Sequence, residues 1–381
     1  MLKKSALLIL LFLNSLAFCD TFTHKTTSQS YDGFMLSKQK QGKTLIKTAE
    51  GVKQIDIEEY NIERNRKGRD EKVVVLPIDG ALQYTAETQA FNVSLARACD
   101  MGPIFIIVQI DSPGGRLDLC RDICIAIDEA NSCDIYAFIK GGKNGGAYSA
   151  AAAAAFACDK IYMAADTAIG AATPYQMTKD GVIKQSDPEL LNWFAGVFYQ
   201  LAEDHNKPGI LAAAMVDKEI NAVEINYDGK REFVWLKEPN PDVKIIKTWS
   251  EKGMLLTMPA SDAQETGICD AIVADMDELM MLLNAEEAKV VYDNGAVKAR
   301  LELENAQKRI DQTYARVQNK IKSLSSSQKM QYSEAYHMYN AMIRDLREAI
   351  ALSEKYPDLK QHEHLPELRE FLESCEQSIK N

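Results

Sequence analysis

The chain predicts an α/β protein built on a mostly parallel sheet, and three observations carry the prediction. Short apolar runs alternate with amphipathic or alanine-rich stretches, the runs at 73–78 and 104–110 are apolar on both faces, and two glycine-rich turns each join such a run to a helix-like stretch. A strand apolar on both faces belongs inside a sheet covered by helices, and repeated β-α-β units give parallel neighbours with right-handed crossovers.

In order, residues 73–78 are a strand, 86–99 an amphipathic helix and 104–110 a second strand. Ile110-Asp111-Ser112-Pro113-Gly114-Gly115 follows, then a helix over 117–130, a strand over 135–139, the glycine loop 141–149, a helix over 147–157 and a strand over 160–163. After Pro174 comes a polar loop, then a helix over 188–205 with Leu191, Phe194, Ala195, Phe198 and Leu201 on one face. Residues 223–236 predict a hairpin turning at Asp228-Gly229. A short apolar run at 255–257, a helix over 261–266 with Gly267 as its C-cap, and a strand over 271–273 close the domain. From about residue 286 the composition shifts to charged helix formers. There Leu303, Ile310, Val317 and Leu324 recur every seven residues, and Tyr332, Ala335, Tyr339, Met342 and Leu346 form a second stripe. The two stripes predict an antiparallel helical hairpin within 286–381, either an oligomerisation or docking module or a solvated tail.

At 381 residues and 46% hydrophobic, the chain can bury one large α/β core and carry an appendage. A net charge of −11 argues against nucleic acid or an anionic membrane surface as the main partner. Residues 1–19 read as a secretory signal, with Lys3 and Lys4, an apolar run over 6–13, and small residues toward Ala17 and Cys19. That run is too short for a membrane span. The protein is therefore expected to be exported, to the periplasm or the cell envelope. Two fates are open at Cys19. Leu16-Ala17-Phe18-Cys19 resembles a bacterial lipoprotein box, with Phe18 where that pattern takes a small residue; plain cleavage would release the protein instead. Residues 20–72 are polar and charged and read as an N-terminal extension or linker. Of the seven cysteines beyond Cys19, Cys120 and Cys124 share a helix face, yet none has zinc-site spacing, and they read as small buried hydrophobes. No metal and no cofactor are expected.

The two glycine-rich turns together can build an acyl-transfer site. Backbone N–H groups at Gly114 and Gly115 can point at a carbonyl oxygen, while Ser149, in the first turn of a helix, can present its hydroxyl to the carbonyl carbon. Ser149 also has a plainer reading, as a helix cap or a small residue permitting close packing, and the alanines over 150–155 favour close packing whatever the chemistry.

These segments resemble the ClpP/crotonase superfamily, within it the N-terminal serine-protease domain of the NfeD family, and more distantly signal peptide peptidase A. Residues 107–115 resemble the family's D-T/S-P-G-G turn, 136–174 its nucleophile loop and M-A-x-x-T-x-I-G-A-A-x-P segment, and 253–270 its closing segment. The resemblance runs from Val73 to Leu283, within a domain placed over 73–285. It implies a spiral of β-α repeats, a homo-oligomer, and an envelope serine endopeptidase with a Ser-Lys dyad acting on peptide or membrane-protein substrates. Carried over, Ser149 falls on the nucleophile, with Ala151 where the family has glycine, and Gly114 and Gly115 fall on the oxyanion turn. Glu189 stands at the position of the family lysine. Lys184 and Lys179 precede it in the polar loop, and Lys184 is the expected base; no histidine lies between Ser149 and His205. Without a base, the same fold would be a catalytically silent, peptide-binding scaffold. Acyl-CoA chemistry, as in crotonases, is disfavoured for an exported protein.

Overall fold

The computed structural model describes residues 20–38, 43–63, 72–130, 132–177, 183–185, 187–238, 244–326 and 331–380. The signal over 1–19, Cys19 and Lys179 lie outside the described residues. The chain forms two units, Met1–Gln83 with Phe91–Asn294, and Tyr84–Ala90 with Gly295–Asn381.

In the first unit, much of the stretch expected as a polar extension is an antiparallel sheet. Its strands are β1 (Asp20–His24), β2 (Ser30–Lys38), β3 (Lys43–Thr48), β4 (Gly51–Asp56) and β5 (Tyr60–Glu63), in the order β4-β3-β2-β1-β5. Phe22, Ile46 and Ile55 are buried, with Tyr31, Ile57, Tyr60 and Ile62 against them. A few apolar side chains suffice because strand geometry turns alternate residues to one face, a period that average composition hides.

The strands that follow are β6 (Lys72–Asp79), β7 (Phe105–Asp111), β8 (Asp134–Ile139), β9 (Gly146–Tyr148), β10 (Lys160–Met163), β11 (Ala168–Gly170), β12 (Tyr175–Met177) and β13 (Ile183–Gln185). After them come β14 (Ala222–Tyr227), β15 (Lys230–Trp235), β16 (Ile245–Ser250), β17 (Thr257–Pro259), β18 (Ala271–Ile272) and β19 (Lys289–Tyr292). Among these run the helices α1 (Thr85–Asp100), α2 (Leu117–Glu129), α3 (Ala150–Phe156), α4 (Pro188–Asp204), α5 (Gly209–Ala214), α6 (Ala260–Thr266) and α7 (Met276–Leu282).

The central sheet has the order β18-β10-β8-β7-β6-β19 and every neighbouring pair is parallel. All seven residues of β7 are buried, as its two-faced apolar pattern requires. Val73, Val75, Phe105, Ile107, Tyr136 and Phe138 pack with Leu279 and Met280 of α7. The sheet gains an edge strand beyond the expected limit at residue 285: β19 pairs with β6 from Lys289↔Lys72 to Tyr292↔Val75. The hairpin forms as expected, with Asp228 and Gly229 both at positive φ (50° and 80°), the mark of a tight two-residue turn. Within it Glu224, 6% exposed, accepts from Arg231 Nε and Nη2 at 2.7 and 2.9 Å and from Trp249 Nε1 at 3.0 Å. The Arg231 guanidinium holds the Glu224 carboxyl below the usual carboxylate range. No helix among the described residues is long and apolar enough to cross a membrane.

The second unit contains the expected hairpin, α8 (Gly295–Ser326) and α9 (Tyr332–Lys355), and a third helix, α10 (Leu365–Lys380). Leu303, Ile310 and Val317 share one core with Met342 and Leu346, and α10 adds Leu365, Leu368 and Cys375. Arg347–Glu376 at 2.7 Å and Arg369–Glu354 at 4.0 Å set α9 and α10 antiparallel. Asp358 accepts the N–H groups of Thr85 and Ala86 at 2.8 and 3.1 Å, serving as a cap supplied from a distant part of the sequence.

Ile107→Ala, in the centre of the buried β7, should cost about 2–5 kcal/mol in denaturant unfolding. Because the folded Glu224 carboxyl titrates below its unfolded value, its contribution is present above about pH 4.3 and lost as pH falls through the lowered value. The stability gap between the wild type and Glu224→Gln should therefore shrink on acidification; a gap that widens below pH 4 would contradict the assignment.

Candidate active site

At the end of β7 the chain turns through Ser112-Pro113-Gly114-Gly115 with Gly114 at φ 95°. The turn is anchored to Leu82, whose N–H donates to Gly114 O and whose carbonyl accepts from Arg116 N–H, both at 2.9 Å. A Cβ at Gly115 would lie 2.1 Å from Leu82 O, so this close approach requires glycine. A Cβ at Gly114 would lie 2.5 Å from Ser149 Cβ and 2.7 Å from Tyr148 O. The two turns singled out in the sequence thus meet backbone to backbone.

What holds the second turn is a buried carboxylate that the sequence reading passed over. Asp111, 2% exposed, accepts from the N–H groups of Asn144 and Gly146 at 3.2 and 3.4 Å, and Asn144 Nδ2 returns a bond to Asp111 O at 2.8 Å. Ser112 N–H donates to Gly146 O at 2.8 Å and Tyr148 N–H to Ser112 O at 3.0 Å. The expected helix start at residue 147 is corrected here. Residues 146–148 are strand β9, paired parallel with β11, because Ser112 and β11 take up their backbone groups, and helix α3 begins only at Ala150.

Ser149 lies between strand and helix at φ 53°, ψ −128°, with its N–H on Gly170 O at 2.9 Å. A capping serine has an extended backbone and accepts an N–H of the first turn; Ser149 has a positive φ and no side-chain cap bond, so it is not a cap. A non-glycine residue held this way costs on the order of 1–3 kcal/mol and persists only where its surroundings over-determine it. Strand, strained serine and helix in succession place the hydroxyl at a sharp corner of the chain. Ser149 is half-buried, and no hydrogen bond to its hydroxyl is made by the described residues.

Of the two expected oxyanion donors, Gly114 N–H is already engaged by Ser112 Oγ at 3.1 Å. Gly115 N–H has no acceptor among the described residues. The Ala150 N–H lies 3.0 Å from a Cβ built at Gly114 and, as one of a helix's first N–H groups, has no intrahelical partner; the sequence offers it by that position.

Lys184 belongs to β13, opposite Gln176 of β12, and its side chain lies outside the described residues. Glu189 is exposed in the first turn of α4, its N–H on Asp187 Oδ1 at 2.8 Å. His205 ends α4 with Nδ1 3.0 Å from Leu201 O. The described residues hold no group of three or more His, Cys, Asp or Glu able to bind a metal.

Residues 72–240 match the family model described as the NfeD1b N-terminal domain. The membrane protein NfeD1b of Bacillus subtilis (strain 168) is 26% identical over 231 residues, which is 61% of this chain and 45% of that protein. The membrane-bound protease PH1510 of Pyrococcus horikoshii is 29% identical over 118 residues, 30% of this chain and 26% of that protein. The chain thus spans less than half the length of these relatives. A solved mutant of a 1510-N membrane-bound stomatin-specific protease, in complex with a substrate peptide, is 21% identical with a TM-score of 0.47, covering 61% of this chain and 96% of that one. The family model agrees with the resemblance of this segment to the N-terminal domain of NfeD-type proteins.

Asp111→Ala should strand the N–H groups of Asn144 and Gly146, at about 1–3 kcal/mol each where they stay buried. Amide exchange in the 141–149 segment should then rise well above that in β6 and β7. Uniform change across the unit would mean that Asp111 supports the fold generally rather than this loop.

Proposed function

We propose that this chain, an NfeD1b-type domain over residues 72–240, is an exported serine endopeptidase of the cell envelope that cleaves membrane-associated or unfolded peptides, working as a homo-oligomer. The carrying observation is Ser149, held at φ 53° against Gly114 with its hydroxyl committed to no cap. A relative described as a membrane-bound protease supports peptide chemistry.

In this reading Ser149 Oγ attacks the carbonyl carbon of a peptide bond, and the N–H groups of Gly115 and Ala150 receive the developing oxyanion, with Gly114 supplying the close approach. The hydroxyl proton goes to the amine of Lys184, which must be neutral to accept it and returns it to the departing amine. Water then cleaves the acyl-enzyme by the same route. Retention at the envelope would come from lipidation at Cys19 or, after plain cleavage, from a partner.

A second reading is favoured by Glu189: an exposed carboxylate stands where the family has its lysine, so the fold would bind peptide without cutting it. A fluorophosphonate probe with mass mapping separates the two. Labelling confined to Ser149 and lost in Ser149→Ala supports the peptidase; a folded protein that never labels supports the scaffold. Lys184→Ala should lower labelling and cleavage by about 10²–10⁴-fold, and Lys179→Ala should leave both near wild type. Equal effects of the two lysine variants would remove Lys184 from the base role.

A further inference from the structure

Cys120 and Cys124, which the proposed chemistry leaves unused, lie directly under the nucleophile turn. Their Sγ atoms are 3.8 Å apart on one face of α2. Cys120 Sγ donates to Ala150 O at 2.7 Å, the carbonyl of the residue next to Ser149. Both thiols line a groove of about 410 Å³ between α2, α3 and α4, with Trp193 and Leu201 on the α4 side. They are 2% and 9% exposed, so the groove is the route by which a small reagent meets them.

We propose that Cys120 and Cys124 are an oxidisable dithiol whose closure to a disulfide withdraws the donor from Ala150 O and loosens the turn holding Ser149. The modification stands apart from the peptidase reading; only its consequence for Ser149 reactivity rests on it. Helix geometry places Cα atoms four residues apart at about 6.2 Å, inside the roughly 4.4–6.8 Å a disulfide spans. Cβ atoms at that spacing are about 5–6 Å apart, whereas a disulfide needs roughly 3.5–4.5 Å. Closure must therefore pull one turn of α2 together and draw Cys120 Sγ off the carbonyl. A disulfide strained in this way is a labile, reversible one. An exported protein would meet the oxidising surroundings in which such bonds form.

With glutathione disulfide as oxidant the step balances. The thiolate of Cys124, the more exposed of the two, attacks one glutathione sulfur and expels a glutathione thiolate. Cys120 then attacks the Cys124 sulfur of the mixed disulfide and expels the second. The cysteines lose two electrons, glutathione disulfide gains them, and the two thiol protons finish on the two glutathiones. The neighbouring Cys120 thiol and burial push the Cys124 thiol well up, so thiolate is scarce near neutrality and closure accelerates as pH rises.

The test equilibrates the full chain in glutathione buffers from reducing to oxidising at pH 8, quenches in acid, alkylates the free thiols and digests with trypsin, which cuts at Arg121 between the two cysteines. The oxidised sample should contain the peptides carrying Cys120 and Cys124 joined through sulfur, reverting with dithiothreitol. Amide exchange over residues 150–156 should be about five- to tenfold faster in the oxidised form, the effect of one lost hydrogen bond. Cys124→Ala keeps Cys120 and its bond to Ala150, so its exchange should be the same in both buffers. Fluorophosphonate labelling of Ser149 should slow on oxidation in the wild type alone. Full alkylation of both cysteines in the most oxidising buffer, linkage of Cys124 to Cys158 instead, or unchanged exchange in the disulfide form would overturn the proposal. If Ser149 labels in neither form, the peptidase reading fails while peptide linkage and exchange still decide the dithiol.

Discussion

The site depends on one contact that leaves no room for a methyl group, that of the Gly114 backbone against Ser149. A side chain at 114 would meet Ser149 Cβ at 2.5 Å, and one at 115 would meet Leu82 O at 2.1 Å. Two consecutive glycines are therefore the condition under which the end of β7 can pass between the β6–α1 connection and the turn at Ser149. The rest of the local structure is organised to keep that passage closed. The register of β7 against β6 aligns Asp111 with Asp79, and from there the Asp111 carboxylate reaches across to the loop leading into β9. Shift either strand by one residue and the carboxylate would face the other side of the sheet.

Small side chains extend the same constraint inward. Every residue of α3 is buried, six of the seven are alanine, and the helix packs against α2, α4 and three strands of the sheet. A helix so enclosed can approach its neighbours only through small side chains, and this brings Cys120 close enough to bond the Ala150 carbonyl. The thiol donates to the carbonyl of a fully buried residue. The same proximity joins the Ser149 turn to α2 through a thiol, which is the contact on which the proposed dithiol acts.

Most of the fold was legible because its signals are local. The two-faced apolar runs in β6 and β7, Asp228-Gly229 in the hairpin and Gly267 at φ 81° beyond α6 each announce their structure within a few residues. What escaped depends on partners distant in sequence. The strand β19 is four residues in a charged setting and is defined by its pairing with β6. The N-terminal sheet rests on a few residues alternating with polar ones, and α10 follows a turn at Pro357–Leu359, although Leu365, Leu368, Leu372 and Cys375 repeat with helical spacing. In the site, the pairing of the two turns was legible, but Asp111 as a clamp emerges only from its hydrogen bonds, and the nearness of the Ala150 N–H to Gly114 only from the packing of the turns.

Two observations pull against each other, and their physical weights differ. In the resemblance Glu189 stands at the lysine position, which counts against the peptidase reading, yet it is exposed at a helix start whose cap, Asp187, would serve any residue there. Its presence removes one route to a base and leaves the lysine in β13 as another. Ser149 shares its positive φ with Ala171 at 49°, and differs from it in carrying a hydroxyl. Glycine adopts a positive φ freely, whereas serine there carries a cost of order 1 kcal/mol, and this serine recovers none of it through a capping bond. A scaffold that only bound peptide beside Gly114 would be more stable with glycine at 149. In the peptidase reading proposed above, that cost is what holds the hydroxyl beside Gly114.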